Sequence, residues 1–347
     1  MKDKSKLAIP LLFIVLLLFS GCTKKETVTE EAPPETEETE TIIVEEEPEY
    51  FFPLTGVKTD EEPYHRALAV MVNNHPQARP QSGLVKADLV YEVSAEGGVT
   101  RFLAVYQSEM PETFGPVRSA RDYYVRLAAG LNAIYIHHGW SPGAQDLILN
   151  HGLVDSLNGL YYDGTLFKRA DFRSAPHNSY ISYENVVKGA EQNNYSLSGP
   201  PASYQFLSED DEITGQVVSG VSIDYSTDQF HVRYEFDEAT GKYSRYSGGV
   251  KVTDFDTEET VTIDNIFIVE TSHRTIDDTG RLEVDITSGG KAYLLQKGRM
   301  QEVEWKNIDG RITPFANGDE LPLVPGKTWI NFVPDLNRVS LDRNTGS

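Results

Sequence analysis

The chain has 347 residues and a formal net charge of −22. Residues 26–49 hold eleven Glu and no basic residue, so −11 of this charge lies in that segment and the other −11 in the rest of the chain. Nucleic acid and anionic lipid surfaces repel an acidic protein, and we expect neither as a general partner. Cys22 is the single cysteine, which excludes an intramolecular disulfide, and because its thiol is predicted below to carry a lipid, no thiol is left for a catalytic or metal-binding role.

The amino terminus has the pattern of an export signal. A short region with three lysines precedes thirteen uncharged residues, 7–19, a run shorter than the about 20 apolar residues that span a bilayer. Small residues then lead into Cys22, which resembles the bacterial lipobox, although Phe19 stands where an aliphatic residue is usual. We therefore predict a signal peptide over residues 1–21 and a lipid on Cys22 that anchors the protein to the outer face of the cytoplasmic membrane.

Composition divides the mature chain into a linker and two folded parts. Residues 22–50 are rich in Glu, Thr and Pro, cannot bury enough apolar surface to fold, and are predicted to form a disordered acidic linker. The remaining chain is long enough for two domains. The sequence pattern changes near residue 200, so we place domains at residues 51–200 and 201–347.

Residues 51–200 mix strand and helix patterns. Strands are predicted at 68–72, 89–96, 99–108 and 133–136, and helices at 119–131, 142–150 and 183–193. Gly97-Gly98 is a two-residue hairpin signal, which makes the strands on either side of it antiparallel. Strands that alternate with helices favour an α/β domain, here with a mixed sheet.

Residues 201–347 are predicted to be mainly β. Turn residues separate strand-like runs at 217–225, 230–236, 261–269, 282–286, 292–295 and 328–333, and long helical patterns are absent from the sequence. This pattern favours a β-sandwich or an open barrel and does not distinguish between the two.

The first helical segment carries the sharpest chemical signal. Ser119 and Asp122 have the spacing of a capping box, which predicts Ser119 as the N-cap, with Arg118 just before it and Arg121 in the first turn. A helix amino terminus already attracts anions, so two added arginines favour a bound phosphate or carboxylate. The alternative is that both arginines pair with the protein's own abundant carboxylates.

An ion cluster is predicted on the neighbouring hairpin. With a two-residue loop, Glu92, Ser94, Glu96 and Arg101 share one sheet face, where diagonal neighbours about 7–8 Å apart are within reach of an arginine. Arg101 would then bridge Glu92 and Glu96. We interpret this cluster as structural, with acid–base chemistry by the two carboxylates as the alternative, and we include Arg101 among the anion-binding candidates.

Histidines follow a predicted strand at the sheet edge where α/β proteins bind ligands. His137 and His138 are neighbours on an extended chain and point to opposite faces, which makes them poor ligands for one metal ion. One is expected to be buried and the other to face a cleft, and together with His177 they are the candidates for a catalytic acid or base. No metal site and no cofactor is predicted. The other residues expected to line the cleft are Trp140, Asn178, Glu92 and Glu96.

Several segments together resemble a known family. These are residues 78–84, 87–92, 96–101, 115–121 and 175–178, among which Gly115-Pro116-Val117-Arg118 is the most specific. Their order and spacing are similar to those of the YerB-like bacterial lipoproteins, whose two halves are each described as a domain of unknown function. The resemblance covers roughly residues 55–340. It implies a two-domain, lipid-anchored protein in a Gram-positive-type envelope, and it implies no activity.

The sequence leaves three functional hypotheses open. In the first, the protein is not an enzyme and binds an anionic envelope component or a partner protein through the cleft of the α/β domain. In the second, it is an envelope hydrolase or transferase acting on a phosphodiester or a glycan, with His137 or His138 as general acid or base. In the third, the β domain is a scaffold that docks another exported protein.

Overall fold

The structure, a computed structural model, describes residues 49–342. The predicted signal peptide, the lipidation site Cys22 and all but the end of the predicted linker lie outside the described residues. The described residues belong to one compact unit. None of their helices is long and apolar enough to cross a bilayer.

The first half alternates strands with helices, and the three predicted helices are present within three residues of their predicted limits. The helices are α1 (Asp122–Gly130), α2 (Pro142–Leu149), α3 (Gly159–Tyr162) and α4 (Tyr183–Gln192). The strands are β1 (Tyr50–Phe51), β2 (Lys58–Thr59), β3 (Leu68–Asn73), β4 (Leu89–Ser94), β5 (Thr100–Tyr106), β6 (Thr113–Phe114), β7 (Ile134–His137), β8 (Ser156–Asn158), β9 (Phe167–Arg169) and β10 (Ser179–Ser182).

The second half is mainly β, and in its described residues, 201–342, helical structure is limited to short 3₁₀ turns. The strands are β11 (Gln216–Val217), β12 (Gly220–Asp224), β13 (His231–Asp237), β14 (Lys242–Ser247), β15 (Val250–Lys251), β16 (Thr262–Ile263), β17 (Asn265–Glu270), β18 (His273–Thr275), β19 (Leu282–Val284), β20 (Gly290–Gln296), β21 (Arg299–Ile308), β22 (Arg311–Ala316), β23 (Asp319–Glu320), β24 (Thr328–Val333) and β25 (Val339–Asp342). The mixed fold class is confirmed, and the sheets of the described residues stay open without closing into a barrel.

A single large sheet, here called the central sheet, contains strands of both halves. Its order is β23-β22-β21-β20-β17-β24-β4-β5-β3-β7-β8, with β11 paired to β21. The two halves join where β24 runs parallel to β4, with Ile330 beside Tyr91. Strands β17, β24, β4, β3, β7 and β8 run in one direction, and β5 is the antiparallel strand between β4 and β3. The carboxyl ends of these parallel strands therefore meet at one edge.

The central sheet is covered on both faces. Alternate residues of β3 enter different clusters: Val70 and Val72 pack with the second sheet, β15-β14-β13-β12-β25, and with α4, whereas Ala69 and Met71 pack with α1 and α2. Strands buried on both faces are almost continuously apolar, and every residue of β3 is buried. Helices α1 and α2 thus cover one face of the first half's strands, and α4 and the second sheet cover the other.

Candidate anion-binding site

The site lies at the carboxyl edge of the central sheet, where parallel strands β3 and β7 end side by side. The segment that carries Arg118 crosses this edge between them. The backbone N–H of Arg118 donates to the carbonyl of Met71 in β3 at 2.8 Å, and the N–H of His138 donates to the carbonyl of Arg118 at 2.9 Å. Backbone pairing on both sides therefore fixes Arg118 beside the residues that follow β3 and β7. These residues lie at the edge where such sheets usually bind ligands.

Arg121 and Arg101 are held by one carboxylate. Arg121 donates from Nε to Glu96 Oε1 at 2.5 Å and from Nη2 to Oε2 at 2.7 Å, and Arg101 donates from Nη2 to Oε2 at 3.1 Å. Burial by itself raises the pKa of Glu96, but the hydrogen bond from Arg121 and the charges of both arginines outweigh burial and lower it. The alternative considered for Arg118 and Arg121, pairing with an internal acid, therefore describes Arg121, and Arg101 forms the Glu96 half of its predicted bridge.

The predicted register of the hairpin is wrong by one residue. Ser94 pairs with Thr100 rather than with Arg101, and the turn spans residues 95–99, closed by the N–H of Ala95 on the carbonyl of Val99 at 2.7 Å. A shift of one residue moves side chains to the opposite face. Glu92 consequently faces away from Arg101 and does not belong to the cluster with Glu96.

The predicted start of α1 is also wrong. Residues 119 and 120 are still extended, since Ala120 bridges to Trp140, and the helix begins at Asp122 with Arg121 in the N-cap position. The hydroxyl of Ser119 donates to the carbonyl of His138 at 2.9 Å and caps no helix. Asp122 accepts a hydrogen bond from Ser141, the N-cap of α2, at 2.7 Å.

Arg118 differs from Arg121 and Arg101 in that it forms no direct pair with an acid among the described residues. Its side chain is half-buried and has no hydrogen-bond or salt-bridge partner among the described residues. Burial, and then repulsion from Arg121, lowers the pKa of its guanidinium. Arg118 is also close enough to lower the pKa values of His75, His138 and His177.

His75 and His177 present ring N–H donors next to Arg118. The backbone N–H of His75 donates to Asn73 Oδ1 at 3.0 Å. The amide nitrogen of Asn73 therefore faces Nδ1 of His177, 2.8 Å away. Nδ1 of His75 accepts from the N–H of Gln77 at 3.2 Å. With both Nδ1 atoms accepting, each neutral ring carries its proton on Nε2, for which the described residues offer no partner. The rings stack with centroids 4.4 Å apart.

His137 and His138 have different surroundings. His137 is fully buried, its Nδ1 faces the carbonyl of Gly139 at 2.8 Å, and burial lowers its pKa to about 4. His138 is half-buried, and its Nε2 accepts from Arg169 at 2.9 Å, which leaves Nδ1–H to donate to Ser179 at 2.8 Å. Arg169 already occupies the lone pair of His138, whereas Nε2 of His137 has no partner among the described residues but is closed off by burial, so neither ring offers an accessible basic nitrogen to a substrate.

The remaining predicted cleft residues lie around His138. Asn178 accepts from Arg169 at 3.2 Å, and Trp140 contacts the rings of His137 and of the exposed Tyr161, with centroids 5.5 and 5.7 Å away. Residues 49–342 contain no group of three or more His, Cys, Asp or Glu that could hold a metal ion.

Sequence reasoning missed His75. It follows the carboxyl end of β3 just as His138 follows that of β7, so the rule that drew attention to His138 applies to it equally. Asn73, whose amide faces Nδ1 of His177, is the last residue of β3 and was also missed.

Comparison with known proteins gives two domain matches and close relatives. Residues 54–196 match the family model "Protein of unknown function (DUF3048) N-terminal domain", and residues 221–330 match the corresponding C-terminal domain. The chain is 50% identical over 297 residues to "Putative lipoprotein YerB" of Bacillus subtilis, over 85% of this chain and 89% of that protein. It is also similar to the crystal structure of YerB protein from Bacillus subtilis, with a TM-score of 0.80 and 50% identity over 84% of this chain and 99% of that chain.

Proposed function

Because the chain belongs to the DUF3048 family, which contains a relative described as a lipoprotein, we propose that it is a lipid-anchored, extracytoplasmic protein that binds an anionic group through Arg118. The ligand is a phosphate or carboxylate of a cell-envelope polymer. Binding, without turnover, is the activity.

The observation that carries this proposal is an unbalanced cation in an acidic protein. Arg118 has no carboxylate partner among residues 49–342, whereas Arg121, Arg101 and Arg169 are each paired with Glu96 or Asp163. A half-buried guanidinium without a counter-charge is costly, and an incoming anion repays that cost with charge-assisted hydrogen bonds. The Nε2–H groups of His75 and His177 add two neutral donors beside it.

The histidines make the proposed binding depend on pH. Burial comes first among the causes that lower the pKa values of His75 and His177, and repulsion from arginines, Arg118 among them, lowers them further. Both rings are therefore neutral at neutral pH in the free protein. A bound anion favours their protonated forms, so binding takes up protons, and the affinity for an anion of fixed charge should rise as the pH falls below 6.5, the ordinary pKa of histidine.

The anchoring half of the proposal rests on Cys22 and the apolar segment before it. The test is metabolic labelling with a fatty acid followed by membrane fractionation. Cys22→Ala should abolish labelling and release the protein from the membrane fraction, whereas Lys25→Ala should change neither. Label that persists in Cys22→Ala would contradict lipidation at this residue.

The binding half is tested by calorimetric titration with inorganic phosphate and with glycerol 3-phosphate at low ionic strength. A charge-assisted hydrogen bond contributes about 1.5–3 kcal/mol, so Arg118→Gln should weaken binding roughly 10- to 100-fold. The matched control is Arg126→Gln, an exposed position of α1. Equal affinities of the two variants, or a loss in Arg118→Gln that accompanies unfolding, would refute the proposed site.

A further inference from the structure

A second cavity lies where the two halves of the described chain meet. It has a volume of about 320 Å³ and is here called the seam pocket. The first half contributes the loop after β3, and the second half contributes the end of β14 with the turn and strand that follow it. None of its lining residues belongs to the anion site around Arg118. The lining residues used below are Asn74, Pro76, Arg79, Ser247, Val250 and Val252.

Arg79 supplies an oriented positive charge to the seam pocket. Its Nε and Nη2 donate to the carbonyl of Asn74 at 3.1 and 2.9 Å, and Nη1 donates to the carbonyl of Gln229 at 2.9 Å. The guanidinium lies 5.1 Å from the ring centroid of Phe230. These partners fix its position but carry no charge, and no carboxylate pairs with Arg79 among the described residues. One N–H on each of Nη1 and Nη2 has no partner among the described residues and can donate to a carboxylate oxygen.

A second polar group without a partner lies in the same wall. Ser247 is 3% exposed, and its hydroxyl has no hydrogen-bond partner among residues 49–342. A buried hydroxyl left without a partner costs free energy; its oxygen is closed to solvent here, so an acceptor oxygen of a ligand would satisfy it once the hydroxyl turns towards the pocket. Most of the remaining wall is apolar and includes Pro76, Val250 and Val252.

We propose that the seam pocket binds a small amphipathic carboxylic acid, whose carboxylate pairs with Arg79 and accepts from Ser247 while its apolar part lies against Pro76, Val250 and Val252. The volume is near the lower end for small-molecule pockets, which limits the ligand to a small molecule. Because the lining comes from both halves, a bound ligand also stabilises their junction by mass action.

The probes are 3-phenylpropanoate and its neutral isostere 3-phenylpropanamide, titrated into the purified full-length chain and followed by amide chemical shifts. Saturable binding of the acid at least 10-fold tighter than that of the amide is expected. Arg79→Gln should reduce this preference to near parity. The absence of saturable binding, or an equal affinity for both probes, overturns the proposal.

A blocking variant keeps the test decisive if Arg79→Gln is unstable. Val250 lines the pocket and is 71% exposed, so Val250→Trp adds bulk at the entrance with little effect on folding and should abolish binding of both probes. The matched control is Val217→Trp, which is 53% exposed and lies outside the pocket. Arg118→Gln should bind the probe normally, which separates this site from the anion site. Unchanged binding by Val250→Trp overturns the proposal.

Discussion

Glu92 and Arg245 form an ion pair that is closed to solvent and connects the two halves of the protein. Arg245 Nη2 donates to Glu92 Oε2 at 2.7 Å, and both side chains are 0% exposed. Glu92 also accepts from Thr100 at 2.8 Å and from the indole of Trp329 at 3.1 Å. The guanidinium lies 4.7 Å from the Trp329 ring centroid. We predict that Glu92→Gln strongly destabilises the fold, because it leaves the guanidinium buried without its counter-charge.

The expected cost follows from the burial. Removing one partner of a buried pair costs about 3–5 kcal/mol. With an unfolding entropy of about 2.1 cal/mol/K per residue over the described residues, 49–342, this corresponds to a Tm lower by about 5–8 °C. Arg245→Met should cost less, because Glu92 keeps three donors, Asn74, Thr100 and Trp329, and a carboxyl group can be neutralised by a proton, whereas a guanidinium cannot. The double variant should be more stable than Glu92→Gln alone, since it buries no charge.

The assay is urea and thermal unfolding followed by circular dichroism and by tryptophan fluorescence. Glu283→Gln is the matched control, because Glu283 pairs with Arg274 at the surface, where the side chains are 60% and 67% exposed, and it should leave stability unchanged. Both probes should report one transition, since the central sheet and the buried pair cross the junction. A loss below about 1 kcal/mol for Glu92→Gln, or additive effects of the two single changes, would refute this reasoning.

Two further predictions concern the site edge. Burial lowers the pKa of His137 to about 4, below its ordinary 6.5, so the unfolded chain binds more protons between these values. Stability should therefore fall as the pH decreases from 6.5 to 4, by about 3 kcal/mol in total, and His137→Asn should flatten this dependence in urea unfolding. Glu96→Gln frees Arg101 and Arg121; phosphate affinity should rise several-fold in titrations while stability drops by about 3 kcal/mol. A lower affinity would show that Glu96 supports the anion site.

Much of the fold was predictable because the elements have strong local patterns. Helix α2 begins at Pro142 after the N-cap Ser141, and β24 occupies the predicted residues 328–333. Of the strands with six or more residues, β14, β21 and β22 were missed. In β14, KYSRYS, the buried face carries Arg245 and Ser247 beside Tyr243, and β21, RMQEVEWKNI, is polar at six of its ten positions, so the apolar signal of both strands is weak.

The candidate site was only partly predictable. Arg118, His138 and His177 were identified from their motifs, and the structure brings them to one edge. Whether an arginine is free or paired depends on which acid folding places beside it, and Glu96 lies 25 residues from Arg121. Neither apolar periodicity nor motif spacing carries that information.

By itself, the sequence determined the mixed α and β composition, the positions of the helices and the arginine- and histidine-bearing segments, because these depend on local patterns of apolar and turn residues. Only the tertiary structure decided that β24 joins β4 across the two halves and that a shift of one residue turns Glu92 towards Arg245. It also decided that Glu96 pairs with Arg121 and Arg101 while Arg118 stays unpaired. The physical reason is that register and ion pairing arise from contacts between residues distant in the chain. Folding selects the strand register that buries the apolar face of each strand, and that register decides which charged side chains meet.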